Sequence, residues 1–212
     1  MASQRPKCPR TNKTARIFLD VVTREAGRTM EYRKAIELRD GRQCVLRNGT
    51  AEDARAALDI FNLTHVETDY LLTYPDEGDL SLEAEAQYLQ KRTESDGEIE
   101  ILAEVGGSIV GSAGVGRVGT QEKLRHRAEF GIGVERAYWG LGIGRALVEA
   151  CVECARSAGY AQLELDVVAD NERALALYQS AGFVEYGRNP RGFRSRGLGW
   201  QELVLMRLEL NE

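Results

Sequence analysis

"YWGLGIGRAL" (Tyr138–Leu147) places glycine at every second position, Gly140, Gly142 and Gly144, and then runs straight into helical sequence. The stretch before it, "AEFGIGV" (Ala128–Val134), reads as a strand. The stretch from Arg145 to Ala158 reads as a helix, with Leu147, Ala150, Cys151, Cys154, Ala155 and Ala158 on one stripe. The glycines therefore fall on a strand-to-helix turn. The first amides of a helix have no partner within it, and the helix dipole adds partial positive charge at that end. With side chains absent, an anion can come close to the backbone, so one reading is a phosphate-binding turn. The other is a turn needed only for tight packing.

Two familiar phosphate motifs do not fit. The P-loop needs a Lys that is missing here, and its spacing is wrong. The dinucleotide fingerprint G-x-G-x-x-G accommodates Gly140 and Gly142, but Arg145 stands where its third glycine belongs.

Composition narrows the class. The 212 residues are 43% apolar, with 28 Lys and Arg against 33 Asp and Glu, a net charge of −5. That balance argues against non-specific nucleic-acid binding, which favours a basic surface. No apolar run reaches the ~18 residues of a membrane span, so no membrane partner is expected and a cytoplasmic location is. Four cysteines are present; Cys151 and Cys154 form a C-x-x-C with no second pair to complete a zinc site. Their place on the apolar stripe reads as core, and no metal is expected.

Residues 1–29 differ from the rest, being rich in Arg and Lys, interrupted by Pro6 and Pro9, and without an acid before Asp20. The segment lacks the apolar centre of a secretory signal, and its prolines spoil the amphipathic helix of a transit peptide. It reads as an appendage, followed by a single domain over 30–212.

From Gln43 the elements are regular. Gln43–Arg47 is a short strand; Thr50 and Asp53 fit a capping box that opens a helix. A second helix starts at Ser81 and runs through Arg92. "EIEILAEV" and "SIVGSAGV" flank Gly106-Gly107, a two-residue hairpin signal. After the glycine turn come the strand "AQLELDVVA", a helix capped by Asn171, and the strands "FVEYGR" and "QELVLMRLEL", with an arginine-rich loop between them. The order β-α-α-β-β-β-α-β-α-β-β predicts one mixed α/β layer structure.

Within this frame "VERAYWGLGIGRALV" and "LELDVVADNERALALYQSAGF" resemble the GNAT superfamily of acetyl-CoA-dependent N-acetyltransferases, from about Gln43 to the C-terminus. The first signature, [QR]-x-x-G-x-[GA], falls on Trp139 to Gly144, with Trp139 in place of the usual Gln or Arg. The second falls on Asn171, Tyr178, Gly182 and Phe183.

The resemblance implies a central mixed, mostly antiparallel sheet with helices on both faces, and the coenzyme at the strand–glycine turn–helix. It implies acetyl-CoA as cosubstrate, bound at Trp139, Gly140, Leu141, Gly142, Gly144 and Arg145, with its pyrophosphate on the amides from Gly140 to Arg145. The pantetheine arm would lie along Ile132, Gly133 and Val134, with the Val134 amide polarising the thioester carbonyl. Asn171 would hold the arm or the following loop. Tyr178 would be the general acid. Glu129, His126 or water would be the base, Glu129 being preferred. The acceptor would be a small-molecule or peptide amine, and a homodimer is expected from the family. The rival from another class is a non-catalytic acyl-CoA-binding regulatory module.

Overall fold

The computed structural model describes residues 19–20, 29–77 and 81–210. Among these, nine strands form one sheet: β1 (Leu19–Asp20), β2 (Arg33–Glu37), β3 (Gln43–Asn48), β4 (Ile99–Val105), β5 (Ser108–Arg117), β6 (Arg127–Val134), β7 (Gln162–Val168), β8 (Val184–Ser195) and β9 (Gly199–Glu209). Their order across the sheet is β1-β2-β3-β4-β5-β6-β7-β9-β8. Every neighbouring pair is antiparallel except β6–β7, which is parallel. Four α-helices accompany them: α1 (Ala54–Glu67), α2 (Leu82–Glu94), α3 (Ile143–Ser157) and α4 (Glu172–Ser180).

Strand alternation sends helices to both faces. Along β4, Ile99, Ile101, Ala103 and Val105 join the core that holds Ile143, Leu147 and Cys151 of α3. The intervening Glu100 faces the other way and accepts a hydrogen bond from Tyr88 of α2. α3 buries Ile143, Leu147, Val148, Ala150, Cys151, Cys154 and Ala155, a stripe at helical spacing. Complete burial of one such leucine contributes about 1.5–3 kcal/mol. Both C-x-x-C thiols lie in this stripe. Burial pushes Cys154 up to about 12 and Cys151 well above its ordinary value, as befits core residues.

Local signals explain the element ends. Thr50 and Asp53 form the expected capping box, and Ser81 caps α2 through Ala84 N–H at 3.1 Å. Gly106 and Gly107 have φ of 60° and 85°, the two positive values that a tight hairpin requires.

Three regions differ from expectation or extend it. β2, "RKAIE", shows no clean apolar face in sequence. It is held by β3 and by α3, where Glu153 accepts from Tyr32 Oη at 2.8 Å and Lys34 Nζ at 2.9 Å. The arginine-rich stretch is largely strand rather than loop. β8 runs to Ser195 with register shifts between Glu185 and Gly187 and between Asn189 and Phe193. Its cations are partnered: Arg188 by Glu185 and Glu202, Arg191 and Arg194 over the Trp200 ring, and Arg196, just past β8, by Asp76. The expected appendage lies outside the described residues apart from Thr29 and Leu19–Asp20, which pairs with Lys34 and Arg33. Cys8 also lies outside them. Among the described residues no helix is long and apolar enough to cross a membrane.

Candidate active site

The glycine turn resolves the question of what glycine provides there. Gly140 has φ of 81° and Gly142, the N-cap of α3, φ of 107°, values that residues with a side chain rarely adopt. A Cβ at Gly142 would meet nothing within 4 Å, so the requirement there is conformation rather than room. Gly144 has neither reason: its Cβ would make only ordinary contact with Leu177, at 3.5 Å. Within the described residues, the amides of Gly140, Leu141, Gly142, Ile143, Gly144 and Arg145 donate no hydrogen bond. The first bond of the helix is Ala146 N–H to Gly142 C=O at 3.1 Å. Six successive donors are therefore presented at the positive end of a 15-residue helix. Leu141 is partly buried against the core, and its carbonyl accepts from Arg39 N–H at 3.1 Å.

The turn opens onto a gap in the sheet. β6 and β7 pair only at Arg127–Gln162, Ala128–Leu163 and Glu129–Glu164, although both strands continue further. Beyond the third pair they part, leaving a cleft of about 1630 Å³ lined by elements of both half-sheets. The register of β6 tells which groups face it. Glu135 N–H bonds Val110 C=O at 3.0 Å, so Val134 opposes Gly111 in a non-hydrogen-bonded pair. Ile132 and Val134 therefore turn their backbone groups away from β5, toward the gap. Gly133 turns its own toward β5 and packs its α-carbon side close to Thr64 of α1.

Trp139 does more than fill the signature position. Its indole N–H donates to Val134 C=O at 2.6 Å, and Arg173 of α4 and Arg136 lie over its ring at 4.9 and 5.5 Å. The end of β6, the glycine turn and the start of α4 are thereby tied together. The Val134 carbonyl is occupied while its N–H still faces the gap.

α4 supplies the opposite wall. Asn171 Oδ1 accepts from Ala174 N–H at 3.2 Å as the helix cap, leaving its amide nitrogen for the cleft that it lines. Tyr178 is 8% exposed and packs edge-on to Phe130 at 5.7 Å and Phe183 at 6.1 Å. It also lines the cleft, and no described residue forms a hydrogen bond with its hydroxyl. Burial, with the nearby Cys151 adding to it, pushes its pKa above the ordinary tyrosine value, so the O–H stays protonated.

The base candidates separate in space. Glu129 lies exposed on β6 and lines the cleft. His126 precedes the strand, is exposed and is outside the cleft; its backbone carbonyl accepts from Ala161 and Gln162. Sequence reasoning missed Glu100. Its side chain reaches the cleft beside Tyr88, and burial raises its pKa to about 7, against the lowering effects of Arg92 and of bonds from Tyr88 and Ser112. The β8 arginines do not line the cleft, whereas Tyr186 and Phe193 do.

Comparison with known proteins identifies the family and the fold. The model of the acetyltransferase (GNAT) family matches residues 62–183, more than half of the chain. The chain belongs to that family, whose members use acetyl-CoA. It is 40% identical over 95 residues to N-alpha-acetyltransferase RimI of Mycobacterium tuberculosis, 45% of this chain and 58% of that protein. The chain spans less than two thirds of the curated relatives it matches first. A GNAT-family acetyltransferase from Streptococcus pneumoniae superposes with a TM-score of 0.75 at 29% identity, covering 78% of this chain and 99% of that one. The same fold occurs in YncA from Salmonella typhimurium, solved with its cofactor acetyl-CoA, at a TM-score of 0.72 and 23% identity over 80% of this chain and 95% of that one.

Proposed function

We propose that the domain over 30–212 transfers an acetyl group from acetyl-CoA to a primary amine, by direct attack with both substrates bound. The observation that carries this is the run of six unpaired amides from Gly140 to Arg145 at the mouth of the β6–β7 gap. The donor set suits a pyrophosphate: backbone N–H groups at a helix start, with Arg39, Arg145 and Arg173 lining the same end. Along β6, Ile132 and Val134 offer backbone groups to an extended arm. When bound, acetyl-CoA supplies an acetyl group activated as its thioester.

The chain's own residues then manage protons. Tyr178 holds a proton on Oη in a buried, aromatic setting and donates it to the departing sulfur. Glu129 accepts the proton that the acceptor ammonium must lose, directly or through water. The Val134 N–H is the electrophilic donor to the carbonyl oxygen. The names of two relatives, an N-alpha-acetyltransferase and a ribosomal protein alanine N-acetyltransferase, favour an α-amine on a protein as acceptor, and that of a third, an L-amino acid N-acyltransferase, keeps a small amine as the other class.

The test is direct. Acetyl-CoA at 100 times its dissociation constant should stabilise the fold by about 2.7 kcal/mol in scanning calorimetry. Thiol release across a panel of amines and N-terminal peptides, with mass spectrometry of the product, should then identify an acetylated acceptor. No calorimetric shift at millimolar acetyl-CoA would remove the reading. Binding without turnover would return the regulatory module. Within the reaction, Glu129→Gln should lower turnover and flatten its pH dependence without loss of coenzyme affinity. An unchanged pH–rate profile would make Glu129 a bystander.

A further inference from the structure

The floor of the cleft on the α1–α2 face is read across three strands. Glu100 of β4 pairs with Gly114 of β5, and Gly114 pairs with Gly131 of β6. Two successive glycines leave no side chain on this row between Glu100 and the gap. Glu100 uses that room, for a Cβ added at Gly114 would overlap its Oε2. The carboxyl group therefore lies across the β5 backbone, directed at β6. A Cβ added at Gly131 would meet nothing within 4 Å, so the space ahead is open. Neighbouring strands are about 4.8 Å apart, which brings a carboxylate above β5 to within about 5 Å of β6.

The groups around Glu100 hold it in place. Tyr88 of α2 donates its O–H at 3.1 Å, and Ser112 of β5 adds a further hydrogen bond. Arg92 of α2 lies near, but it donates to Val115 C=O at 2.6 Å and stands 3.9 Å from Glu98. Glu85 of α2 adds negative charge from above, and Cys151 of α3 lies on the opposite face of the sheet. Arg39, Arg145 and Arg173 line the glycine-turn end together with Asp170 and Glu172, whereas Glu100 and Glu129 line the strand floor with Glu85 and Arg92 of α2 above it.

We propose that Glu100 is the acceptor-recognition carboxylate: it receives the acceptor's primary ammonium and selects amines with no carboxylate beside that ammonium. This rests on the acetyltransferase reading and names the substrate class of the same site. An ammonium stabilises the ionised form of Glu100 and gains a charge-assisted hydrogen bond from it. A free amino acid would bring its own carboxylate against Glu100 and Glu85, where like charges repel. A peptide N-terminus or an amino amide brings none. Because burial raises the Glu100 carboxyl to about 7, ammonium binding strengthens as pH rises through that value, until the amine itself deprotonates.

The experiment titrates the protein holding coenzyme A with n-butylamine, L-alaninamide and L-alanine by NMR, and offers the same amines with acetyl-CoA in a thiol-release assay. Wild type should bind butylamine and alaninamide saturably, alanine roughly tenfold or more weaker, with turnover in the same order. Glu100→Gln should weaken the first two roughly tenfold or more and erase the preference, while coenzyme A affinity holds. Glu100→Asp should restore part of the binding, and melting curves of both variants separate a lost contact from a lost fold. Equal binding of alaninamide and alanine by wild type, binding of none of the three, or full preference in a folded Glu100→Gln would each overturn the proposal. Failure of wild type to bind coenzyme A would instead overturn the acetyltransferase reading, and this inference with it.

Discussion

Two helices of this domain leave the sheet by the same route, a strand followed by a turn, and begin in opposite ways. α4 follows β7 and is closed by its own side chain, Asn171 Oδ1 accepting from Ala174 N–H at 3.2 Å. α3 follows β6 and has no side-chain cap; left-handed Gly142 opens it, and six successive amides there donate no hydrogen bond among the described residues. A helix start without a cap gives up roughly 1 kcal/mol that a capping side chain would contribute. α3 recovers its stability from packing, since eight of its residues are buried. The difference teaches that an open helix start is affordable where the helix body is deeply packed, and that the unmade bonds remain free for a ligand. α1 begins in a third way, closed by charge, with Asp53 bonded to Thr50 and paired with Arg47 at 2.8 Å.

The sharpest way to break the contrast is to close the open start. Gly142→Glu combines an unfavourable φ with a carboxylate among the free amides, and should lower acetyl-CoA affinity by roughly 100-fold or more in titration calorimetry. Retention of affinity would mean that the amides of α3 are not the pyrophosphate site. The next effect asks what the capped helix contributes beyond its cap. Tyr178→Phe keeps the ring against Phe130 and Phe183 and deletes the donor, so turnover should fall roughly 10²–10⁴-fold with coenzyme affinity and melting temperature little changed. Full turnover would reduce Tyr178 to a packing residue.

Smaller effects sharpen the comparison. Asn171→Ala removes the α4 cap and should cost about 1 kcal/mol in chemical denaturation, a loss the α3 turn cannot show because it has no such cap. The charge-closed start of α1 should report through pH. Arg47, with the Thr50 bonds, holds Asp53 down to about 2, below its unfolded value. A depressed carboxyl stabilises the fold above its unfolded pKa of about 4 and loses that contribution as pH falls toward about 2. Wild type should therefore lose stability across that window more steeply than Asp53→Asn, by a modest margin. Parallel acid titration curves would show that the pair contributes nothing.

How much of this was legible in the sequence depended on the range of the signal. Thr50 with Asp53, Gly106-Gly107, Asn171 and the glycine turn are local patterns, and each marks the element it was read to mark. The mostly antiparallel sheet with helices on both faces was likewise readable from the order of elements and the two signatures. Glu100 was not, because its place beside the cleft depends on a register linking it to Gly114 and Gly131, 31 residues apart from end to end. The available hint was a pair of glycines inside strands, which mark close approach of another group. Trp139 looked like the loss of a polar side chain until its indole N–H was seen bonded to Val134 C=O. The β8 arginines looked like a loop because Pro190 and Gly192 punctuate them; bulges absorb both without ending the strand.

The parting of β6 from β7 carries a mechanical consequence. The domain is shaped like a pair of tongs, with β1–β6 as one arm and β7–β9 as the other, joined in the sheet by three rungs. At that pivot Arg127 grips Glu164, Nη2 to Oε2 at 2.6 Å, with Gln162 Nε2 bonded to the same carboxylate at 3.2 Å. The tips carry the glycine turn and Asn171, and the arms are braced by a shared core in which α3 packs with β4 and with Leu163, Leu165 and Val167 of β7. The pivot ion pair thus lies beside the proposed chemistry, since Glu164 pairs in register with Glu129 and lines the same cleft.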